Sequence, residues 1–290
     1  MYIWIGIILF ILVIIALAYF TLTYCIDRVL FVPVTEHVWK PEQNYSDVYF
    51  GSRRLNGWLI KSQDKKRSGK VVLFCHGNTG NISHRRYIAE LSQLIHVDVF
   101  LFDYQGYGRS PGHSTLSSIC QDTHEAYKYL RSIGYSSDDI IVWGESIGGY
   151  PAIYIAQKEE VSHLLLIATF ANLGLLARES GNPIAKLASP ILDQMAESNT
   201  KRISQVKAPV LLIHSTQDEI IPYHHSQKLF EAISHNKKKH ITITGGHGTP
   251  RLTEDIVNQL TDFCHLEQVN DPRCLEILDY IAEEKVKHGR

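Results

Sequence analysis

The stretch IIVWGESIGGYPA, Ile140 to Ala152, sets one serine between two glycines: Gly144-Glu145-Ser146-Ile147-Gly148. An apolar run of strand character precedes it and a helix-forming run follows at once. Gly144 and Gly148 stand where side chains would collide in a sharp strand–turn–helix. The new helix directs its positive end at the serine. The G-x-S-x-G pattern alone is a weak signal, because both residue types are common. The strand before and the helix after make Ser146 a candidate nucleophile on a strained turn.

Working outward, the chain alternates strand and helix patterns. DVYF and RLNGWLIKS read as a hairpin. KVVLFC (70–75), VDVFLFDY, DIIVWG, VSHLLLIAT, APVLLIHST and KHITIT read as strands. HRRYIAELSQLI, STLSSICQDTHEAYKYLRSI, SIGGYPAIYIAQKE, HHSQKLFEAIS and PRLTEDIVNQLTDFCH read as helices. Ser114 or Ser117 is the expected N-cap of the second. Strands that are apolar throughout and separated by helices predict a mainly parallel β-sheet flanked by helices, an α/β fold. Between LLLIATF and APVLLIHST lie residues 171–207, with helical patterns around GLLARES and SPILDQMAES. An insertion there, at a strand's carboxyl end, suits a short helical lid.

Composition bounds the function. The 290 residues carry 29 Lys and Arg against 30 Asp and Glu, a formal net charge of −1. No clustered basic face is present to neutralise phosphates, so nucleic acid is not an expected partner. The run Lys237-Lys238-Lys239 reads as a solvated loop before a strand. The five cysteines, 25, 75, 120, 264 and 274, form no C-x-x-C pair, which argues against a disulfide framework or a zinc site. Cys75 reads as buried filler.

The N-terminus differs from the rest. Tyr2 to Ile26 holds no charged side chain. As a helix it would span roughly 37 Å, against about 30 Å of bilayer hydrocarbon. Aromatics gather towards both ends, as interfacial anchors do. The expectation is an uncleaved single-pass transmembrane helix, making the lipid bilayer a partner. Ala16-Leu17-Ala18 imitates a signal-peptide site, but no Lys or Arg precedes the apolar run. Arg28 and Lys40 follow the span, so positive-inside counting places the main domain in the cytoplasm. The sequons Asn44-Tyr45-Ser46 and Asn81-Ile82-Ser83 would permit the opposite orientation. The expected organisation is an anchor at 1–27, a linker at 28–46, a catalytic domain at 47–265 with its lid at about 171–207, and a C-terminal helical extension at 266–290.

Acyl transfer needs a nucleophile, a base, a group orienting the base, and oxyanion donors. Each has a candidate where a strand ends. His247, in TITGGHGTP, is the expected base, with His214, His224 and His225 as rivals. Asp218, in LLIHSTQDEIIP, is the expected orienting acid, with Glu219 beside it. The backbone N–H groups of Ile147 and Asn78 are the expected oxyanion hole, Asn78 lying in the loop His76-Gly77-Asn78-Thr79-Gly80-Asn81. His76 and Gly77 read as supporting the loop and Asp103 as structural.

The motifs HGNTGN, DYQGYGRS, GESIGG, DEIIP and GGHG, in this order from about Asp47 to His265, resemble the α/β-hydrolase superfamily. Within it they look like small membrane-tethered serine hydrolases of the bud-emergence type, and like relatives that remove fatty acyl groups from proteins. The order Ser…Asp…His is the one this fold uses. The resemblance implies an acyl-serine intermediate, an ester or acyl-thioester substrate, and neither metal nor organic cofactor. It leaves open a serine peptidase of the aminopeptidase-like branch, with Glu179 or Glu197 as an amine-binding acid. It also leaves open an interaction protein on an idle hydrolase scaffold.

Overall fold

The computed structural model describes residues 2–63, 68–269 and 274–279. Eight strands form one sheet: β1 (Tyr45–Phe50), β2 (Leu55–Ile60), β3 (Val71–Cys75), β4 (Asp98–Phe102), β5 (Ile140–Glu145), β6 (His163–Ile167), β7 (Val210–Ser215) and β8 (Lys238–Ile243). Their spatial order is β1-β2-β4-β3-β5-β6-β7-β8. β1 and β2 form the expected antiparallel hairpin, and β2 also runs antiparallel to β4. Every other pairing is parallel.

Every residue of β2, β3, β4, β6 and β7 is buried, as a sheet covered on both faces requires. Side chains alternate between two apolar cores. Val71, Leu73 and Cys75 pack on one side with α3 (Leu116–Ser132), α4 (Gly149–Lys158) and α8 (His224–Ala232). Val72 and Phe74 pack on the other with α2 (Arg86–Leu94) and α9 (Glu254–Phe263). Each fully buried large side chain contributes about 1.5–3 kcal/mol, so these two layers hold the sheet.

The register positions the site. Cys75 pairs with Gly144, and Glu145 with Ile167. The loops leaving β3, β5 and β6 therefore emerge side by side. Ser215 pairs with Ile243 at the ends of β7 and β8. Ligand crevices in open α/β sheets form at such carboxyl ends.

Three helices occupy the connection from β6 to β7: α5 (Leu173–Glu179), α6 (Pro183–Met195) and α7 (Asn199–Ile203). α6 begins at Pro183, well before the SPILDQMAES pattern. Asn182 caps it, accepting from the Ile184 and Ala185 amides, and proline is tolerated in a first turn. The N-cap of α3 is Thr115, not Ser114 or Ser117. Thr115 and Ser118 cap one another reciprocally, while the Ser114 hydroxyl donates to the Gln105 carbonyl. Lys238 and Lys239 lie inside β8 rather than in a loop before it. The Lys238 ammonium donates to the carbonyls of Phe230 and Ile233, and so closes the end of α8.

α1 (Tyr2–Leu30) is exposed over most of its length. Its segment Ile7–Leu30 is long and apolar enough to cross a membrane. Beyond it Phe31 is buried, and Val32–Pro33 pairs in parallel with Thr79–Gly80. The expected C-terminal helix lies mostly outside the described residues. Residues 274–279 are helical, with Cys274 and Leu278 buried and Leu275 exposed.

Candidate active site

β5 ends at Glu145, and the chain makes one 3-10 turn, Ser146–Gly148, before α4. Ser146 takes φ +55°, a left-handed conformation costing about 1–3 kcal/mol for a side-chain-bearing residue. Two contacts hold it there. The Thr169 hydroxyl donates to the Ser146 carbonyl at 2.7 Å. A Cβ on Gly148 would lie 2.0 Å from the Cys75 carbonyl oxygen, so only glycine lets the turn press on the end of β3.

The structure brings Ser146, His247 and Asp218 together. The Ser146 Oγ lies 3.0 Å from His247 Nε2. His247 Nδ1 lies 2.8 Å from Asp218 Oδ2. The other Asp218 oxygen accepts the Ile220 and Ile221 amides at 3.0 and 2.8 Å. Burial works to raise the Asp218 carboxyl, but hydrogen bonds from His214 and His247 outweigh it. They hold the group well below the ordinary carboxylate range.

The rivals are placed elsewhere or differently. His214 is buried, with Nε2 2.8 Å from the Ile221 carbonyl and 3.3 Å from Asp218 Oδ2, so it braces the acid. Glu219 accepts the His247 backbone amide at 3.0 Å. The Cys75 thiol is fully buried, and desolvation pushes it up to about 12, which leaves no thiolate at neutral pH.

His224, His225 and Glu179 form a separate cluster, with one ligand atom each within 4.8 Å of the others. His225 Nδ1 accepts the Ala171 amide at 3.1 Å, so a neutral ring carries its proton on Nε2 and donates it to Glu179 at 3.0 Å. In that tautomer Nε2 has no lone pair for a metal, and the cluster acts as a clasp between α5 and α8. Glu197 pairs with Lys201 and Arg202.

The loop after β3 lies against the serine: a Cβ on Gly77 would come 3.6 Å from the Ser146 Cβ. His76 is buried between Tyr104 and Tyr107. Burial lowers its pKa to about 3, so it is a neutral brace. Asp103 is also buried and accepts the Ile82 amide at 2.9 Å. Burial raises its carboxyl.

A cavity of about 350 Å³ opens at the serine, lined by Gly77, Asn78, Ser146 and His247 among others. No residue of α5, α6 or α7 lines it. Val38 and Trp39 form part of its wall instead. Glu145 faces the cavity and accepts a hydrogen bond from the Tyr87 hydroxyl. Arg85 lines it too. Its Nη2 donates to the Thr79 carbonyl at 2.6 Å, and the acids Glu145 and Glu219 line the same cavity. No sequence motif marked Thr169, Val38 or Trp39, because each acts through a contact distant along the chain.

Comparison with known proteins gives matches to two family models. Residues 66–200 match the serine aminopeptidase (S33) family model, and residues 158–259 match the serine hydrolase (FSH1) model. A Mycobacterium tuberculosis protein of uncharacterised function, Rv2307c, is 32% identical over 205 residues, covering 69% of this chain and 70% of that one. The chain belongs to the α/β-hydrolase superfamily of serine hydrolases. This hydrolase is also 28% identical to human alpha/beta hydrolase domain-containing protein 17B over 69% of its length and 68% of that protein's. It is 29% identical to bem46 of Schizosaccharomyces pombe, over 75% of each chain. The Pyrococcus furiosus esterase Pf2001 shares the hydrolase's fold with a TM-score of 0.68 at 20% identity, over 81% of this chain and 97% of that one.

Proposed function

We propose that the protein is a membrane-anchored serine esterase or thioesterase, with Ser146 as nucleophile, His247 as general base and Asp218 as the orienting acid. The supporting observation is the unbroken line Ser146 Oγ–His247 Nε2, His247 Nδ1–Asp218 Oδ2, at 3.0 and 2.8 Å. His247 takes the hydroxyl proton as Oγ attacks the acyl carbonyl. Asp218 fixes the imidazole tautomer and stabilises the imidazolium. The amides of Asn78 and Ile147 receive the oxyanion. His247 then protonates the departing alkoxide or thiolate, leaving an acyl-serine. Water, deprotonated by His247, attacks the acyl carbon and releases the acid.

The two acids expected to hold a free amine, Glu179 and Glu197, are not among the residues lining the cavity, which favours this reading over an aminopeptidase. Glu179 is engaged by both neighbouring histidines. In this reading residues 1–27 anchor the chain, 47–265 form the hydrolase domain with its lid at about 171–207, and 266–290 extend it. A cytoplasmic domain fits Arg28 and Lys40 after the span. Of the two sequons, Asn81 is buried with its amide donating to the Val34 and Glu36 carbonyls, while Asn44 is exposed.

The test is labelling of the full-length protein with a fluorophosphonate, followed by turnover of p-nitrophenyl and thioester acyl chains. Wild type labels and turns over, and Ser146→Ala does neither, since losing a triad nucleophile costs about 10⁶ in kcat. Activity retained by Ser146→Ala overturns the assignment. Release of the protein from membranes by carbonate would replace the anchor with a cleaved signal sequence.

A further inference from the structure

The stretch after α1 is not a slack tether. The Val32 amide donates to the Asn78 carbonyl at 3.0 Å, and the Val34 amide to the Gly80 carbonyl at 3.1 Å. These are two rungs of a parallel ladder between Val32–Pro33 and Thr79–Gly80. The bonding runs both ways. The Asn81 side-chain amide donates to the carbonyls of Val34 and Glu36, at 2.8 and 2.7 Å. The Gly108 amide also donates to the Val34 carbonyl, at 3.0 Å. The Val38 amide donates to the Ser83 hydroxyl at 2.9 Å. His37 packs edge-on against Trp58, with Nε2 3.6 Å from the buried Asp103 carboxylate. Phe31 is buried in the core, and Val38 and Trp39 reach the cavity wall.

We propose that residues 31–39 are a working part of the active site, a strap whose Val32 and Val34 amides hold the Asn78–Gly80 loop in the geometry that receives the oxyanion. The proposal rests on Ser146 as nucleophile and Asn78 as oxyanion donor. An oxyanion donor acts only if it is fixed before the charge develops, within about 0.5 Å of its productive position. A glycine-rich loop has no such rigidity of its own. The Asn78 carbonyl receives two donors, the Val32 amide and the Tyr107 hydroxyl. They fix the Asn78–Thr79 peptide plane and with it the Asn78 Cα. The preceding plane, which carries the Asn78 N–H, is held at its Gly77 carbonyl by His76 Nδ1, 2.7 Å away. Val32 is thus a positioning residue, not a catalytic one. The strap also leaves α1 no free linker, since the ladder begins two residues after the helix ends.

The test uses the full-length protein in detergent and a p-nitrophenyl ester. Val32→Pro deletes the donor to Asn78. Val32→Ala keeps that amide and reports the side chain alone. The expected result is a fall of about 10² in kcat for the proline variant, the cost of one misplaced oxyanion donor. KM stays within about threefold, and the alanine variant retains a kcat well above that of the proline variant. Affinity for a trifluoromethyl ketone, which forms the tetrahedral adduct, falls in parallel with kcat, a coupling that a merely structural role would not produce. Asn81→Asp is the second variant. It keeps the acceptor that orders its own loop but replaces the donor to Val34 and Glu36, and is expected to lower kcat in the same way. A folded variant of either kind with wild-type kcat and ketone affinity overturns the strap. Activity surviving in Ser146→Ala would instead overturn the nucleophile assignment beneath it.

Discussion

Replacing Asp218 by Asn exchanges one carboxylate oxygen for an amide nitrogen and leaves the loop in place. The oxygen that accepts the Ile220 and Ile221 amides is retained, so the backbone after β7 stays ordered. The oxygen 2.8 Å from His247 Nδ1 becomes an amide nitrogen, which donates rather than accepts. His247 then takes the tautomer with Nδ1 unprotonated and its proton on Nε2. That proton faces the Ser146 Oγ 3.0 Å away, and the ring can no longer act as base. Loss of the correct tautomer costs about 10⁴ in kcat for a serine triad, or about 5.4 kcal/mol of barrier. His214 moves the figure no closer to wild type, because its Nε2 also faces the altered atom, at 3.3 Å. Steady-state hydrolysis of a p-nitrophenyl ester by the folded variant measures this. A loss of less than tenfold would refute the assignment of Asp218 as the orienting acid.

Gly148→Ala should fail at the folding step. Its Cβ would sit 2.0 Å from one backbone oxygen and 2.6 Å from another, those of Cys75 and His76. A cost of at least about 3 kcal/mol is expected, and a wild-type melting temperature would contradict it. Thr169→Val removes the donor to the Ser146 carbonyl and should lower stability by about 1–3 kcal/mol. Urea denaturation checks this, with an unchanged midpoint as the contrary result. His163 is buried in β6, and desolvation lowers its pKa to about 4, against about 6.5 when unfolded. The unfolded chain binds this proton first, so stability falls as pH drops from about 6.5 towards 4. His163→Gln should flatten that part of the stability profile. An identical profile in the variant would show that another group causes the loss.

Asp218 has a linkage of the same sign, acting in a more acidic window. Its native pKa lies below that of the unfolded chain. The stability it contributes is present in full above about pH 4, and it is lost only as pH falls towards the lowered native value. The expected cost of Asp218→Asn is therefore largest near neutrality and shrinks in strong acid.

The sequence by itself determined the layered α/β fold. Periodicity is a local property, and strands apolar on every position can only be covered on both faces. It also marked Ser146, His247 and Asp218, because strand ends, glycines and motif order are readable along one dimension. Only the tertiary structure decided that Asp218 rather than Glu219 faces the His247 ring, since adjacent residues of one loop differ by direction and not by pattern. It alone gave the α3 cap to Thr115, where neighbouring hydroxyls compete and Ser114 has a carbonyl to serve across the loop. It drew Lys238 into β8, where its ammonium closes α8. Only the tertiary structure put Val38 and Trp39, far from Ser146 in the chain, into the cavity wall. The segment 28–46 carries no periodic signal, being ordered by single hydrogen bonds to a loop some forty-five residues away in the chain. Such contacts have no spacing to read, and it is through them that the end of α1 reaches the loop beside Ser146.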